Sequence, residues 1–170
     1  MTENKSADHI LKKYNVFYIK RTALWILTSF SVAGILMFVL ALVTDASRRD
    51  QLIVLAFIPL GWILWVFSIL SVPYATRLCR RQTKQLSIPF DDQGAIPMHP
   101  TSMTFLSEDW LIASGRLYLH RNFIRSITVE VRKTARGATY TCLFHCNSGL
   151  YKITGNASDA EAIQAWHNAK

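Results

Sequence analysis

The chain has 170 residues, 19 Lys plus Arg against 11 Asp plus Glu for a formal charge of +8, and 51% hydrophobic content with only 18% charged residues. Soluble domains carry about a quarter of charged residues, so this composition excludes an ordinary soluble protein and a disordered one. Seven Gly, five Pro and no short repeat exclude a collagen-like or low-complexity chain, and three scattered cysteines, Cys79, Cys142 and Cys146, do not make the paired framework of a small secreted domain.

Within a polar lead over residues 1–22, DHILKKYNVFYIK places Ile10, Leu11, Tyr14, Phe17 and Tyr18 at helical spacing, with Lys12, Lys13 and Lys20 among them. This pattern predicts an amphipathic, interfacial lead-in helix. Two charge-free stretches follow, ALWILTSFSVAGILMFVLALV at 23–43 and LIVLAFIPLGWILWVFSILSV at 52–72. About 20 apolar residues at about 1.5 Å each cross a hydrocarbon core of about 30 Å, so both are predicted transmembrane helices. The first is too long for a signal peptide and returns as a second span, so no cleavage is expected.

Only Thr44 to Gln51 joins the two spans, which makes them an antiparallel hairpin. Lys12, Lys13, Lys20 and Arg21 precede it and Arg77, Arg80, Arg81 and Lys84 follow it, while the loop offers Arg48 and Arg49 between Asp45 and Asp50. The positive-inside rule puts both termini in the cytoplasm, a compartment that agrees with unpaired thiols. Tyr14, Phe17, Tyr18, Trp25 and Tyr74 fall at the headgroup level as an aromatic belt. The connector at 73–85 carries Arg77, Arg80, Arg81 and Lys84 as candidate contacts to anionic headgroups, at about 1 kcal/mol per basic residue. Within the spans, Ser29, Ala33, Gly34 and Gly61 are candidate packing positions, for the hairpin itself or for an oligomer. Neither span holds an ionisable residue, which argues against a proton relay, a charged-substrate site or a voltage sensor.

After Val72 the period changes. PFDDQGAIPMHP is rich in turn formers, and SMTFLS, DWLIAS, GRLYLHR, NFIRSITVEVRK, ATYTCLFHC and GLYKIT then read as strands of an antiparallel meander. In the longest, Ile127, Val129 and Val131 share one face and Thr128, Glu130 and Arg132 the other. The expected core is Phe105, Ile112, Leu117, Leu119, Ile127, Val129, Phe144, Ile153 and Trp166. Ser158 with Glu161 reads as a capping box, opening a terminal helix whose Ala160, Ile163 and Trp166 cover the sheet.

TFLSEDWLIASGRLYLHRNFIRSITVEV and SDAEAIQAW resemble the strand pairs and closing helix of small bacterial two-span membrane proteins with a pleckstrin-homology-like (PH-like) domain, over residues 86–170. The resemblance implies an α+β membrane protein: a transmembrane hairpin, then a small antiparallel β-barrel closed by a C-terminal helix, in the bacterial inner membrane. It implies a docking or regulatory module and no enzyme. Some eukaryotic PH domains bind phosphoinositides through a basic pattern between their first two strands; here Ser107-Glu108-Asp109, taken as that turn, is acidic, so that activity is not carried over.

Chemical motifs are few. No Walker loop, GxSxG, HExxH, GxGxxG or CxxC is present, so no catalytic residue, metal site or cofactor is expected. Cys142 and Cys146 lie about 13 Å apart along a strand, too far for a disulfide, with His145 on the opposite face. Asp91-Asp92 and Glu108-Asp109 sit at turns, where carboxylates cap backbone groups. His99 and His120 have no partner in the sequence.

Arg132, Lys133 and Arg136, with Arg121 and Arg125 nearby, mark a hairpin tip that is either solvated or the docking surface for an acidic partner or headgroups. Nucleic acid is excluded as a partner, because from residue 85 onward eight basic residues face seven acidic ones. The first functional expectation is a non-enzymatic membrane-anchored scaffold or regulator with a protein partner or a homo-oligomeric state. The alternative is a membrane effector of an antiphage signalling system, whose β domain senses a small ligand and whose spans assemble to disrupt the bilayer.

Overall fold

The computed structural model describes residues 2–44, 57–134 and 137–169. Helix α1, Thr2–Val43, runs unbroken for 42 residues, about 63 Å at about 1.5 Å per residue. It contains no proline, and it absorbs both the polar lead and the first apolar stretch, in place of the separate interfacial helix expected over residues 8–20. Helix α2, Phe57–Ile69, and helix α3, Ser71–Leu86, take up the second stretch and the basic connector. The break at Leu70 follows from Pro73, which has no N–H to offer the Ile69 carbonyl. Two helical stretches, Ser6–Val43 and Pro59–Leu86, are long and apolar enough to cross a membrane, and only 11% of the most apolar window of each is buried. A core helix of a soluble protein would be mostly covered. The expected loop and the first residues of the second span, 45–56, lie outside the described residues.

The strands are β1 (Ile96–Pro97), β2 (Thr104–Leu106), β3 (Trp110–Ala113), β4 (Leu117–His120), β5 (Ile124–Thr134), β6 (Gly137–Cys146) and β7 (Gly149–Gly155). All six expected runs form, and β1 is added from the turn-rich segment before them. Because β1 comes first, Ser107-Glu108-Asp109 separates the second and third strands; the first two are joined through Met98–Met103. The strands pair antiparallel in two sheets, ordered β1-β2-β3-β4 and β5-β6-β7. The sheets are not closed into a barrel. The outer edge of β4 is taken instead by a side chain of α3: Gln82 Nε2 donates to the Tyr118 carbonyl at 2.7 Å, and its Oε1 accepts from the His120 N–H at 2.9 Å.

Strands β3 and β4 are buried on both faces, and period-two alternation sorts their side chains into two cores. Leu111, Ala113, Leu117 and Leu119 pack with Phe123, Cys142, Phe144, Ala160, Ile163 and Trp166. Trp110, Ile112 and Tyr118 face the other way, onto Leu11 and Tyr14 of α1, Ala75 and Cys79 of α3, and Phe90. The single expected core is thus divided: Ile112 and Phe105 join the helix side and the other seven residues the sheet side. Covering the first sheet is what occupies the polar lead. Leu11, Tyr14, Tyr18 and Thr22 form one buried stripe of α1, so Tyr14 and Tyr18, at 5% and 4% exposure, are packing residues and not part of an aromatic belt. Trp25 and Tyr74 do face outward, at 62% and 59%.

Helix α4, Ala157–Asn168, has its N-cap two residues before the expected one. Asn156 is the N-cap, its side chain accepting from the Asp159 N–H at 2.9 Å while Asp159 Oδ2 accepts from the Asn156 N–H at 3.0 Å. The box is therefore Asn156/Asp159 and not Ser158/Glu161; Ser158 donates its hydroxyl to Asn156 Oδ1. Ala160, Ile163 and Trp166 are buried as expected, and the Trp166 indole donates to the Ser107 carbonyl at 2.7 Å. Each large apolar side chain buried here contributes about 1.5–3 kcal/mol. Truncation before Ser158 should therefore lower the unfolding temperature and cause aggregation, as measured by a thermal scan with light scattering. An unchanged melting temperature would show that α4 is no part of this core.

Candidate functional site

The basic residues of α3 recur at Arg77, Arg80, Arg81 and Lys84, three and four apart, which places them on one exposed helical face. The opposite face is buried through Ala75, Leu78, Cys79 and Gln82. Arg80 is partly engaged, with an exposed ion pair to Asp8 of α1 at 3.0 Å.

The basic tip belongs to the β5–β6 ribbon. Beyond Val129, the described residues of this ribbon up to Thr139 are exposed on both faces, Arg132 opposite Thr139 and Lys133 opposite Ala138. Arg136 lies outside the described residues. Arg121 and Arg125 are not brought to the tip. Arg125 is seven residues back along an extended strand, about 24 Å, and the Arg121 guanidinium lies 5.0 Å from the Trp166 ring centre.

The four span positions divide in two. Gly34 and Gly61 are buried, and a side chain at Gly61 would collide with Phe30, so Gly61 lets α1 and α2 approach. Ser29 and Ala33 are exposed on α1.

A cleft of about 590 Å3, absent from the sequence reading, opens where the sheets fail to join. Its walls are the β1–β2 connection, the β3–β4 turn, β7 and the first turn of α3. This end of the β domain is fastened to the helices. Arg21 Nη2 donates to the Thr101 carbonyl at 2.7 Å and Ser71 Oγ donates to the Gly115 carbonyl at 2.9 Å, while Tyr18 OH ties α1 to α2 through the Ser68 carbonyl at 3.2 Å. Gly115 has φ 65°, and its missing side chain leaves the space filled by the Tyr18 ring. Asn15 adds a bridge, its Oδ1 accepting from Tyr118 OH at 2.7 Å and its Nδ2 donating to Thr76 Oγ1 at 3.0 Å.

Two cations, Arg116 and Lys152, both exposed, stand at the cleft, with His99 beside them. Asp159 is the acidic residue of its lining, and its carboxylate is committed to the helix cap. Ser114 lines the cleft with a fully buried Oγ that makes no hydrogen bond among the described residues. Tyr151 spans the margin through its hydroxyl, which lies 2.8 Å from Ser148 Oγ and also bonds Tyr74; burial raises its pKa. Two exposed cations suit an anionic oxygen group, held by charge-assisted hydrogen bonds. The sequence signal was slight: Ser114-Gly115-Arg116 stands as a turn between two apolar runs.

The remaining reactive groups are absorbed in the fold. Cys142 and Cys146 point to the core side of β6, where burial raises both thiols, Cys146 to about 11, while His145 is exposed and 3.2 Å from Thr128 Oγ1. His120 accepts from the Asn122 N–H at 3.0 Å, and burial lowers its pKa. Asp91 accepts from the Gln93 N–H, as a turn carboxylate should, whereas Asp92 binds Lys13 at 2.9 Å and Tyr14 OH at 3.2 Å. His99 Nδ1 lies 3.0 Å from Thr101 Oγ1 within one turn. Among the described residues no three His, Cys, Asp or Glu side chains gather as a metal site. Comparison of the chain with family models, with curated proteins and with solved structures finds no match.

Proposed function

We propose that this chain is a non-enzymatic, membrane-anchored docking and regulatory protein with both termini in the cytoplasm, built on a PH-like β domain in the bacterial inner membrane. Seven antiparallel strands followed by a C-terminal helix support the PH-like assignment. The observation that carries the function is the seating of the β domain on the helices that run into the apolar hairpin, through the hydrogen bonds of Arg21 and Ser71 and the Tyr18 ring packed at Gly115. A domain so fastened holds its cleft at headgroup depth and its basic ribbon in a fixed direction. Arg116 and Lys152 then meet an anionic headgroup, the α3 stripe adds a diffuse attraction, and the ribbon receives a protein partner.

The full-length protein released from membranes in mild detergent should retain an anionic phospholipid in preference to a zwitterionic one, read by native mass spectrometry. Arg116→Ser with Lys152→Ser should reduce that preference at least about tenfold, since even one charge-assisted hydrogen bond contributes roughly 1.5–3 kcal/mol and about 1.4 kcal/mol is a factor of ten. Equal retention of both lipid classes, or an unchanged preference in the variant, would remove the headgroup role.

The cleft also supports the effector reading, in which a soluble anionic ligand fills it and the spans assemble. Induced expression separates the two: an effector depolarises cells once its ligand is present, and a docking protein leaves the membrane potential unchanged.

A further inference from the structure

Strand β5 is the edge of its sheet, eleven residues long and without proline. Each edge strand of an antiparallel ladder leaves alternate N–H and C=O groups without a partner, a template for another strand. Proteins usually blunt such an edge, and β5 has a bulge near Arg125. Beyond the bulge the ladder with β6 is regular to Thr134, and Val131 is 49% exposed at its middle.

We propose that the open edge of β5 pairs with the same edge of a second copy of this chain, antiparallel and centred on Val131. This rests on reading the ribbon as a docking surface and supplies its acidic partner. With Val131 opposite itself, Glu130 of each copy lies opposite Arg132 of the other, on the same face of the joined sheet. Two opposite-charge cross-strand pairs form at once. Sliding the dyad by one residue centres it on Glu130 or on Arg132 and sets like charges against each other, so charge selects the register. Among the described residues neither side chain belongs to an ion pair, and across β6 they face Thr141 and Thr139.

The register is tested in native membranes with the full chain carrying Val131→Cys and a mild oxidant. Opposed residues have Cα atoms about 4.5–5.5 Å apart, within disulfide reach. Arg125→Cys is the control, since the pairing leaves its two copies about 40 Å apart. A disulfide-linked dimer of V131C should exceed that of R125C at least about fivefold, while the chain without added cysteine forms no disulfide-linked dimer. Adding Glu130→Arg should lower the dimer about tenfold, equivalent to about 1.4 kcal/mol. Adding Arg132→Glu as well should restore it to within about twofold, since the charges are then exchanged and not lost.

These exposed substitutions should leave the thermal transition in place, which is measured for each variant. Equal cross-linking of V131C and R125C, no effect of E130R, or failure of the exchanged pair in a folded variant would overturn the proposal. None of the substitutions touches the cleft, so lipid retention by the same variants reports the headgroup role separately.

Discussion

Replacing Gln82 with methionine is expected to destabilise the β domain by about 2–6 kcal/mol, because two buried backbone groups lose their partners and each costs roughly 1–3 kcal/mol. The side chain is fully buried and serves as a stand-in strand for the edge of β4, donating to Tyr118 and accepting from His120. Methionine keeps the length and the burial and removes both bonds, so the loss is one of hydrogen bonding and not of packing. Hydrogen exchange at the His120 amide reports it most directly. Protection should fall in step with the global stability, and unchanged protection in Gln82→Met would mean that the amide is satisfied some other way.

Gly115→Ala is expected to be as costly, for a steric reason. At φ 65° a Cβ meets its own carbonyl, at about 1–2 kcal/mol. The same Cβ would enter the Tyr18 ring, where overpacking adds about 1–3 kcal/mol. The β3–β4 turn can relieve the clash only by lifting away from α1, which breaks the Ser71 contact and loosens the β domain from the helices. Limited proteolysis should cut the variant near this turn, and a second change, Tyr18→Ala, should recover part of the protection by making room. A Gly115→Ala protein as resistant as the original would show that the turn is not seated on α1.

The parts legible in the sequence were those where one face is buried and the other wet. Ile127, Val129 and Val131 alternate with polar residues, and the strand forms over them; Arg77, Arg80, Arg81 and Lys84 repeat at helical spacing, and they share an exposed face. Trp110–Ala113 carries no such alternation, because helices cover one side and a sheet the other; a run apolar on both faces does not say that two cores exist. The same fact hid the role of Tyr14 and Tyr18, whose spacing suits a bilayer surface and a protein surface equally. Ser158 with Glu161 and Asn156 with Asp159 are both acceptable capping pairs two residues apart, and the extended backbone at Asn156 decides between them. The cleft joins residues 71, 99, 114 and 152, which no local pattern connects. The fully buried Gln82 pairs with a strand 36 residues away, beyond any periodicity.

The measurement that tests the whole account is thiol labelling of intact cells with a membrane-impermeant reagent, applied to the full chain carrying Ser47→Cys or Asn147→Cys. Position 47 lies between the two apolar stretches, and Asn147 is exposed in the β6–β7 turn. The proposed topology, with the β domain on the inner face, predicts that Ser47→Cys is labelled in intact cells and Asn147→Cys only after the membrane is permeabilised. Labelling of Asn147→Cys alone in intact cells would invert the topology. Labelling of neither position in intact cells and of both after permeabilisation would contradict insertion of the hairpin altogether.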